Sequence, residues 1–71
     1  MAKIILRAFF DQPLQADQAM SNLLEADYKP VQSNLADLIE ITLEVEENTK
    51  ANAREILENF KAEKIEEIDE K

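Results

Sequence analysis

Three carboxylates separated by even numbers of residues give this sequence its clearest candidate binding surface. Glu40, Glu44 and Glu46 are placed so that their side chains would share one face of an extended strand. Such an acidic strip could bind a cation or a basic partner protein. The alternative is the solvated face of a half-buried strand. In that case Lys3 and Arg7, on a neighbouring strand, would pair with Glu40 or Glu44 across the sheet.

The composition excludes most catalytic chemistry. The chain has 71 residues and contains no Cys, His, Trp or Gly. It therefore has no thiol nucleophile, zinc ribbon, imidazole base, P-loop or dinucleotide-binding turn. Ser21 and Ser33 have no base beside them in sequence, and no two acids stand out as a catalytic pair. We therefore expect no enzymatic activity, no cofactor and no bound metal.

The charge of the chain restricts its partners. Asp and Glu number 16 against 8 Lys and Arg, so the net charge is −8. Nucleic acid and anionic membranes both attract basic surfaces, so we expect neither as a partner. No apolar run approaches the roughly 20 residues of a membrane span, and no signal peptide is recognisable at the start. These features predict a cytoplasmic location.

The acidic excess lies mainly in the second half of the chain. Residues 1–36 carry three bases and four acids, whereas residues 37–71 carry five bases and twelve acids. A small protein with such a half could act as an acidic inhibitor or adaptor that docks on a basic surface of a larger partner. An ordinary solvated surface would have the same composition. The sequence leaves both interpretations open.

Two segments have the residue patterns of β-strands. Residues 4–10 are almost wholly apolar, which predicts a central strand. In the segment from Leu38 to Glu46, apolar and polar residues alternate from Ile39 onward, which predicts a strand buried on one face. The first strand would direct Ile4, Leu6, Ala8 and Phe10 to one face and Lys3, Ile5, Arg7 and Phe9 to the other.

Two segments have the periodicity of amphipathic helices. The first is expected to start at an Asp11 cap with Pro13 in its first turn, and to end near residues 26–27, because Lys29 precedes Pro30. The second is expected to start at Asn48 or Thr49. Their inward stripes are Ala16, Ala19, Met20, Leu23 and Leu24 in the first helix, and Ala53, Ile56, Leu57 and Phe60 in the second.

Two further segments are less distinct. Val31 follows Pro30 and suits a short edge strand, and residues 34–37 suit a turn. Residues 62–69 could form a last strand or continue the second helix. Ile65 and Ile68 are three positions apart, which is not strand spacing, yet no Gly or Pro ends a helix there.

The order of these elements predicts one α+β domain over residues 1–71. Strand, helix, strand, strand, helix and a last strand form a ferredoxin-like βαββαβ plait, with two helices on one face of a four-stranded antiparallel sheet. Ile5, Phe9 and Leu38 would then lie outside the two-layer core. A cluster of this kind predicts a protein-partner surface, most simply in a homodimer. Alternatively, Phe9 folds over an edge of the sheet, or the twist of the sheet hides it.

The turn after the first strand resembles that of a known family. Asp11-Gln12-Pro13-Leu14 is similar to the Asp-x-Pro-Gly-x-Leu turn of ACT-type regulatory domains, with Leu14 in place of the glycine. These plait-fold modules bind amino acids or other small effectors, usually across a dimer interface. The resemblance implies a regulatory binding module with Asp11, Gln12 and Asn34 at an effector site. Metal-carrying domains of this fold use a Cys pair in the same loop, which residues 11–15 lack.

Overall fold

The computed structural model describes residues 3–70, with side chains as far as Ile68. Each predicted element is present, and the last segment is a strand rather than a continued helix. The helices and strands are β1 (Lys3–Phe10), α1 (Pro13–Glu25), β2 (Val31–Asn34), β3 (Ile39–Glu46), α2 (Lys50–Asn59) and β4 (Lys64–Glu70).

The four strands form one antiparallel sheet in the order β2-β3-β1-β4. The two strands with the clearest sequence patterns, β1 and β3, occupy its centre. The predicted ferredoxin-like α+β plait is therefore confirmed. In the register of the sheet, Lys3 is opposite both Glu46 of β3 and Glu70 of β4, so the two ends of the described chain are neighbours.

The core lies between the sheet and the two helices. Alternation along β1 and β3 directs one face of each strand toward the helices, as predicted. Removing this apolar surface from water is the main stabilising contribution to a domain of this size. The buried residues are Ile4, Leu6, Ala8 and Phe10 of β1, Ala16, Ala19 and Leu23 of α1, Ile41, Leu43 and Val45 of β3, and Ala53 and Leu57 of α2.

The irregular apolar spacing in β4 has a simple cause. Ile65 is opposite Ala8 and faces the helices, where it packs against the core. Ile68 is opposite Ile5 and faces the uncovered side of the sheet. Residues three apart in a strand lie on opposite faces, so each isoleucine belongs to a different apolar surface.

The predicted start is wrong by one residue for α1 and correct for α2. Gln12, not Asp11, is the N-cap of α1, and its side chain makes no capping hydrogen bond. Pro13 occupies the first turn as expected, where the missing N–H has no cost. Thr49 is the N-cap of α2, but its hydroxyl donates to the Glu46 carbonyl and accepts from the Glu46 N–H, so it stabilises the turn after β3.

The inward stripe of α1 is narrower than predicted. Leu23 is fully buried, whereas its neighbour Leu24 is 57% exposed. Leu24 lies one position further round the helix, at the margin of a stripe formed by Ala16, Ala19 and Leu23. The prediction that Leu24 belongs to the core is therefore wrong.

Both helices end in the same hydrogen-bonding motif. After α1, the Tyr28 N–H donates to the Leu23 carbonyl and the Asp27 N–H to the Leu24 carbonyl, with Asp27 at φ 70°. After α2, Ala62 and Lys61 donate in the same way, with Lys61 at φ 64°. This is the Schellman motif, in which glycine usually takes the left-handed position. α1 thus ends in a motif with Asp27 in the left-handed position. The prediction attributed this end to Lys29, which precedes Pro30 and lies two residues further along the chain.

Candidate functional site

The face of the sheet opposite the helices is uncovered and carries most of the predicted site residues. Its side chains lie in rows that cross β3, β1 and β4. The rows contain Glu44, Ile5 and Ile68, then Thr42, Arg7 and Glu66, and then Glu40, Phe9 and Lys64.

The carboxylates of the acidic strip pair with bases of β1. Lys3 Nζ lies 3.3 Å from Glu44 Oε1, and Arg7 Nε lies 3.1 Å from Glu40 Oε2. The predicted cross-strand pairing is thus confirmed. Glu46 has no base within 4.0 Å among the described side chains. Two members of the strip are therefore neutralised within the fold, which leaves less charge for an external basic partner.

Arg7 connects both neighbours of β1. Besides Glu40, its Nη1 lies 3.7 Å from Glu66 Oε1 of β4. Its Nε is buried and makes no hydrogen bond of normal geometry within the described residues, so the contact with Glu40 is electrostatic rather than a directed bond. Arg7 lies between Ile5 and Phe9 on β1, and so it divides the apolar surface of the open face into two parts.

The first apolar part is a pair of isoleucines on adjacent strands. Ile5 is half-buried and lies directly opposite Ile68, which is 39% exposed. Ile68 was missed at the level of sequence, because its face could be assigned only after the register of β4 was known. The two side chains form a small aliphatic surface with no helix above it.

The second apolar part is a hollow at the other end of β1. Phe9 and Leu38 line it together with Glu63, Lys64 and Glu66, and its volume is about 370 Å³. Both apolar residues are half-buried. The structure therefore places Ile5, Phe9 and Leu38 outside the core, as expected, with Phe9 and Leu38 together and Ile5 separate from them.

A polar groove lies at the end of the sheet near the start of α1. Asp11 and Asn34, two of the three residues suggested by the ACT-type resemblance, line this groove of about 510 Å³. Gln12 is not part of its lining. Asp17 and Asp37 also border the groove, and no basic residue does. The groove thus brings three carboxylates from separate segments to one place.

Inside the groove, one amide is already engaged. Gln32 Nε2 donates a hydrogen bond of 3.3 Å to Asn34 Oδ1. The amide nitrogen of Asn34 is not used in this bond, and the surrounding carboxylates are acceptors only when ionised. The groove therefore offers mainly acceptors, which suit a ligand that carries amine or guanidinium donors.

A further charged cluster holds β4 against α2. Glu67 lies on the helix-facing side of β4, with Lys50 Nζ 3.3 Å from its Oε1 and Arg54 bonded to its Oε2. The hydrogen bonds from Arg54 and then Lys50 lower the pKa of Glu67, and the same contact with Glu67 raises the pKa of Arg54. The arrangement joins β4 to α2.

The described part of the chain holds neither a cluster of metal ligands nor a membrane-spanning helix. Among the side chains of residues 3–68, no three acidic groups are close enough together to hold a metal ion. No helix in that range is long and apolar enough to cross a bilayer.

No protein-family model matches the sequence, and no curated protein is significantly similar to it. The ACT-type resemblance therefore remains a prediction from the Asp11-Gln12-Pro13 turn.

Proposed function

We propose that this chain is a non-enzymatic, cytoplasmic binding module that acts through protein association, most simply as a homodimer formed by the open face of its sheet. The observation that carries the proposal is the position of Ile5 beside Ile68, on a sheet face that neither helix covers. Phe9 and Leu38 extend the apolar surface on the other side of Arg7. Small proteins seldom leave such residues together on a surface that has no binding role.

The charges of the same face favour a second copy of the chain as its partner. Lys3 and Arg7 are paired with Glu44 and Glu40 in each molecule, so the face carries both signs in near balance. Two such faces can meet without bringing one large unpaired charge against another. A two-fold contact would place each isoleucine pair against the equivalent surface of the other copy.

The oligomeric state tests this proposal. Light scattering after size exclusion, over a range of concentrations and at two salt strengths, should give the mass of a dimer that changes little with salt. Phe9→Glu and Ile68→Glu should each give a folded monomer, because a carboxylate would have to be desolvated in the interface. Leu24→Glu is the matched control, since Leu24 is exposed on α1, away from this face.

The outcomes separate the proposal from its alternatives. A monomeric wild-type protein rejects the homodimer. A dimer that persists in both Phe9→Glu and Ile68→Glu, with circular dichroism unchanged, rejects this face as the interface. Association that disappears as the salt concentration rises would favour docking between charged surfaces instead.

A small effector is the second candidate function, and one observation favours it. Asp11 and Asn34 lie far apart in sequence but line the same groove, whose volume falls within the range of small-molecule sites. Its acceptor groups suit a ligand with an amino group. Free amino acids should therefore raise the melting temperature, because a ligand that binds only the native state stabilises it.

The specificity of the effect is tested by Asp11→Asn. This variant should lose the stabilisation by amino acids, whereas Glu55→Gln on the exposed surface of α2 should keep it. A panel of amino acids that leaves the melting temperature unchanged would exclude this candidate.

A further inference from the structure

One edge of the sheet is short, uncharged and open. All four residues of β2 are exposed, and none of Val31, Gln32, Ser33 and Asn34 carries a charge. Val31 is 63% exposed, and Leu35, just after the strand, is 48% exposed. Open edges present unpaired N–H and C=O groups to any extended chain, and proteins usually protect them with charged residues.

The opposite edge of the sheet is protected in that way. β4 carries Lys64, Glu66 and Glu67 among its exposed or half-buried residues. Charges on both faces of a strand oppose the addition of another strand. The two edges of this sheet therefore differ, and β2 is the one suited to strand pairing.

The hydrogen bonding of the β2–β3 hairpin indicates which groups of β2 are free. The Leu35 N–H donates to the Leu38 carbonyl at 2.7 Å, and Asn34 lies opposite Ile39 in the next pair. Bonded and non-bonded pairs alternate in an antiparallel ladder. Leu35 and Leu38 form a bonded pair, so the pair of Ser33 with Glu40 is also bonded and the pair of Gln32 with Ile41 is not. The N–H and C=O of Gln32 therefore point away from β3, toward the open edge.

The chemistry beside this edge selects the type of strand. Gln32 and Asn34 line the groove that also contains Asp11, Asp17 and Asp37. A strand added to β2 would direct alternate side chains to the helix side of the sheet, where this groove lies. We propose that the β2 edge and this groove together bind an extended, basic segment of a partner protein by strand addition, with Lys or Arg side chains in the groove.

A second copy of the chain fits this edge less well. The base nearest to β2 in the sequence is Lys29, so a copy paired through β2 would carry one base next to the strand that meets a groove with three carboxylates. A segment with two or more bases neutralises the groove more completely. Leu38 borders both this groove and the hollow beside Phe9, but β2 and the three aspartates lie outside the surface of Ile5, Phe9 and Ile68 that the sheet-face dimer would use.

Fluorescence anisotropy with synthetic peptides tests the proposal. The probe is a labelled peptide of alternating valine and lysine, which prefers an extended conformation. One control peptide has glutamate in place of each lysine, and a second has N-methyl groups on alternate backbone nitrogens, which prevent strand pairing. The lysine peptide should bind, and its affinity should fall as the salt concentration rises. Neither control should bind.

Variants of the protein separate the backbone contact from the charge contact. Gln32→Ala loses the side chain that lines the groove but keeps the outward N–H, so it serves as the reference for Gln32→Pro, which loses both. Gln32→Pro should bind about tenfold more weakly than Gln32→Ala. Asp17→Asn combined with Asp37→Asn should weaken binding by roughly tenfold through the lost ion pairs. Glu55→Gln, on α2, is the control for loss of one charge.

The results with these peptides and variants either support or overturn strand addition at the β2 edge. Equal binding of the N-methylated peptide, or full affinity in Gln32→Pro with normal circular dichroism, would overturn strand addition. If Gln32→Pro unfolds the protein, the aspartate variants decide, and full affinity in the double variant overturns the proposal. Absence of peptide binding, with a dimer that Gln32→Pro dissociates, would assign the edge to self-pairing instead. Persistence of the Phe9-dependent dimer in Gln32→Pro would confirm that the two surfaces are separate.

Discussion

Glu67 of β4 and Arg54 of α2 form an ion pair across the boundary between the sheet and the helices. Lys50, one turn earlier on α2, approaches the other oxygen of the same carboxylate at 3.3 Å. Glu67 lies opposite the buried Leu6 of β1, at a position on the core-facing side of β4. The edge strand is thus attached to α2 by charge at a place where its neighbours on β1 use apolar packing.

Neutralising this carboxylate should loosen β4. Glu67→Gln keeps the shape of the side chain but removes its charge, so the pairs with Arg54 and Lys50 lose their electrostatic component. The pairs are partly exposed, so the free energy of unfolding should fall by about 0.2–1 kcal/mol per pair in urea titrations. Glu55→Gln, with no cationic partner within 4.0 Å among the described residues, should be neutral. Equal stability of the two variants would contradict the structural role of Glu67.

The same contact predicts a dependence of stability on pH. The pKa of Glu67 is lower in the folded protein than in the unfolded chain, because Arg54 and Lys50 hydrogen-bond to the ionised form. As the pH falls, the unfolded chain therefore takes up the proton first. The contribution of Glu67 is complete above its unfolded pKa and is lost as the pH falls through its folded pKa.

This dependence is measured as the difference between the wild-type protein and Glu67→Gln. Urea titrations from neutral pH to acid should show the difference in unfolding free energy shrinking on the acid side. A difference that stays constant across that range would show that the contact does not depend on ionisation of Glu67.

The two adjacent leucines of α1 should respond very differently to truncation. Leu23 is fully buried, and Leu23→Ala should lower the free energy of unfolding by about 2–5 kcal/mol through lost burial and a new cavity. Leu24 is exposed, and Leu24→Ala should change it by no more than about 0.5 kcal/mol. Thermal and urea denaturation of both variants measure this contrast. Similar losses in the two variants would mean that α1 is rotated from the orientation described.

Glycine at the end of α2 should stabilise the protein. Lys61 has a positive φ of 64°, which costs a residue with a Cβ atom but not glycine. Lys61→Gly should therefore raise the free energy of unfolding by about 0.5–1 kcal/mol. Lys29→Gly is the control, since it makes the same chemical change at a residue without positive φ and should give no gain. A larger gain at Lys29 would argue against strain at Lys61.

The hydroxyl of Tyr28 should contribute to the contact between the end of α1 and the start of α2. It donates to the Thr49 carbonyl at 3.2 Å and accepts from Asn52 Nδ2 at 3.2 Å. Tyr28→Phe should lower the free energy of unfolding by about 1 kcal/mol. Asn52→Ala removes only the exposed bond and should cost less. If Asn52→Ala proved the more harmful variant, the bond to Thr49 would not be the important one.

The strands and helices were predictable where one element buries one regular set of residues. Apolar residues on both faces of β1 predict a central strand, and the alternation in β3 predicts which of its faces lies against the core. Residues 62–69 could not be assigned to a strand in the same way, since Ile65 and Ile68 lie on opposite faces of β4. Leu24 was misassigned because the width of a buried stripe depends on what packs against it, and a single sequence does not contain that information.

The candidate sites were only partly predictable for a related reason. The pairs of Lys3 with Glu44 and Arg7 with Glu40 follow from two strands placed side by side. Ile68 joins Ile5 only through the register of β4, and Asp37 joins Asp11 only through the packing of two loops. Contacts between segments distant in sequence require the tertiary structure, even when each segment is assigned correctly.

The adjacency of Lys3 and Glu70 has a consequence for how this fold can be used. Partners in an antiparallel ladder have Cα atoms only about 4.5–5.5 Å apart, so a short linker could join the two ends of the described chain. New ends could then be opened in the exposed loop of residues 35–37. For the same reason, the domain could be inserted into a surface loop of a host protein with little separation of the host's two flanking residues. The plait is therefore suited to circular permutation and to insertion as a domain within another chain.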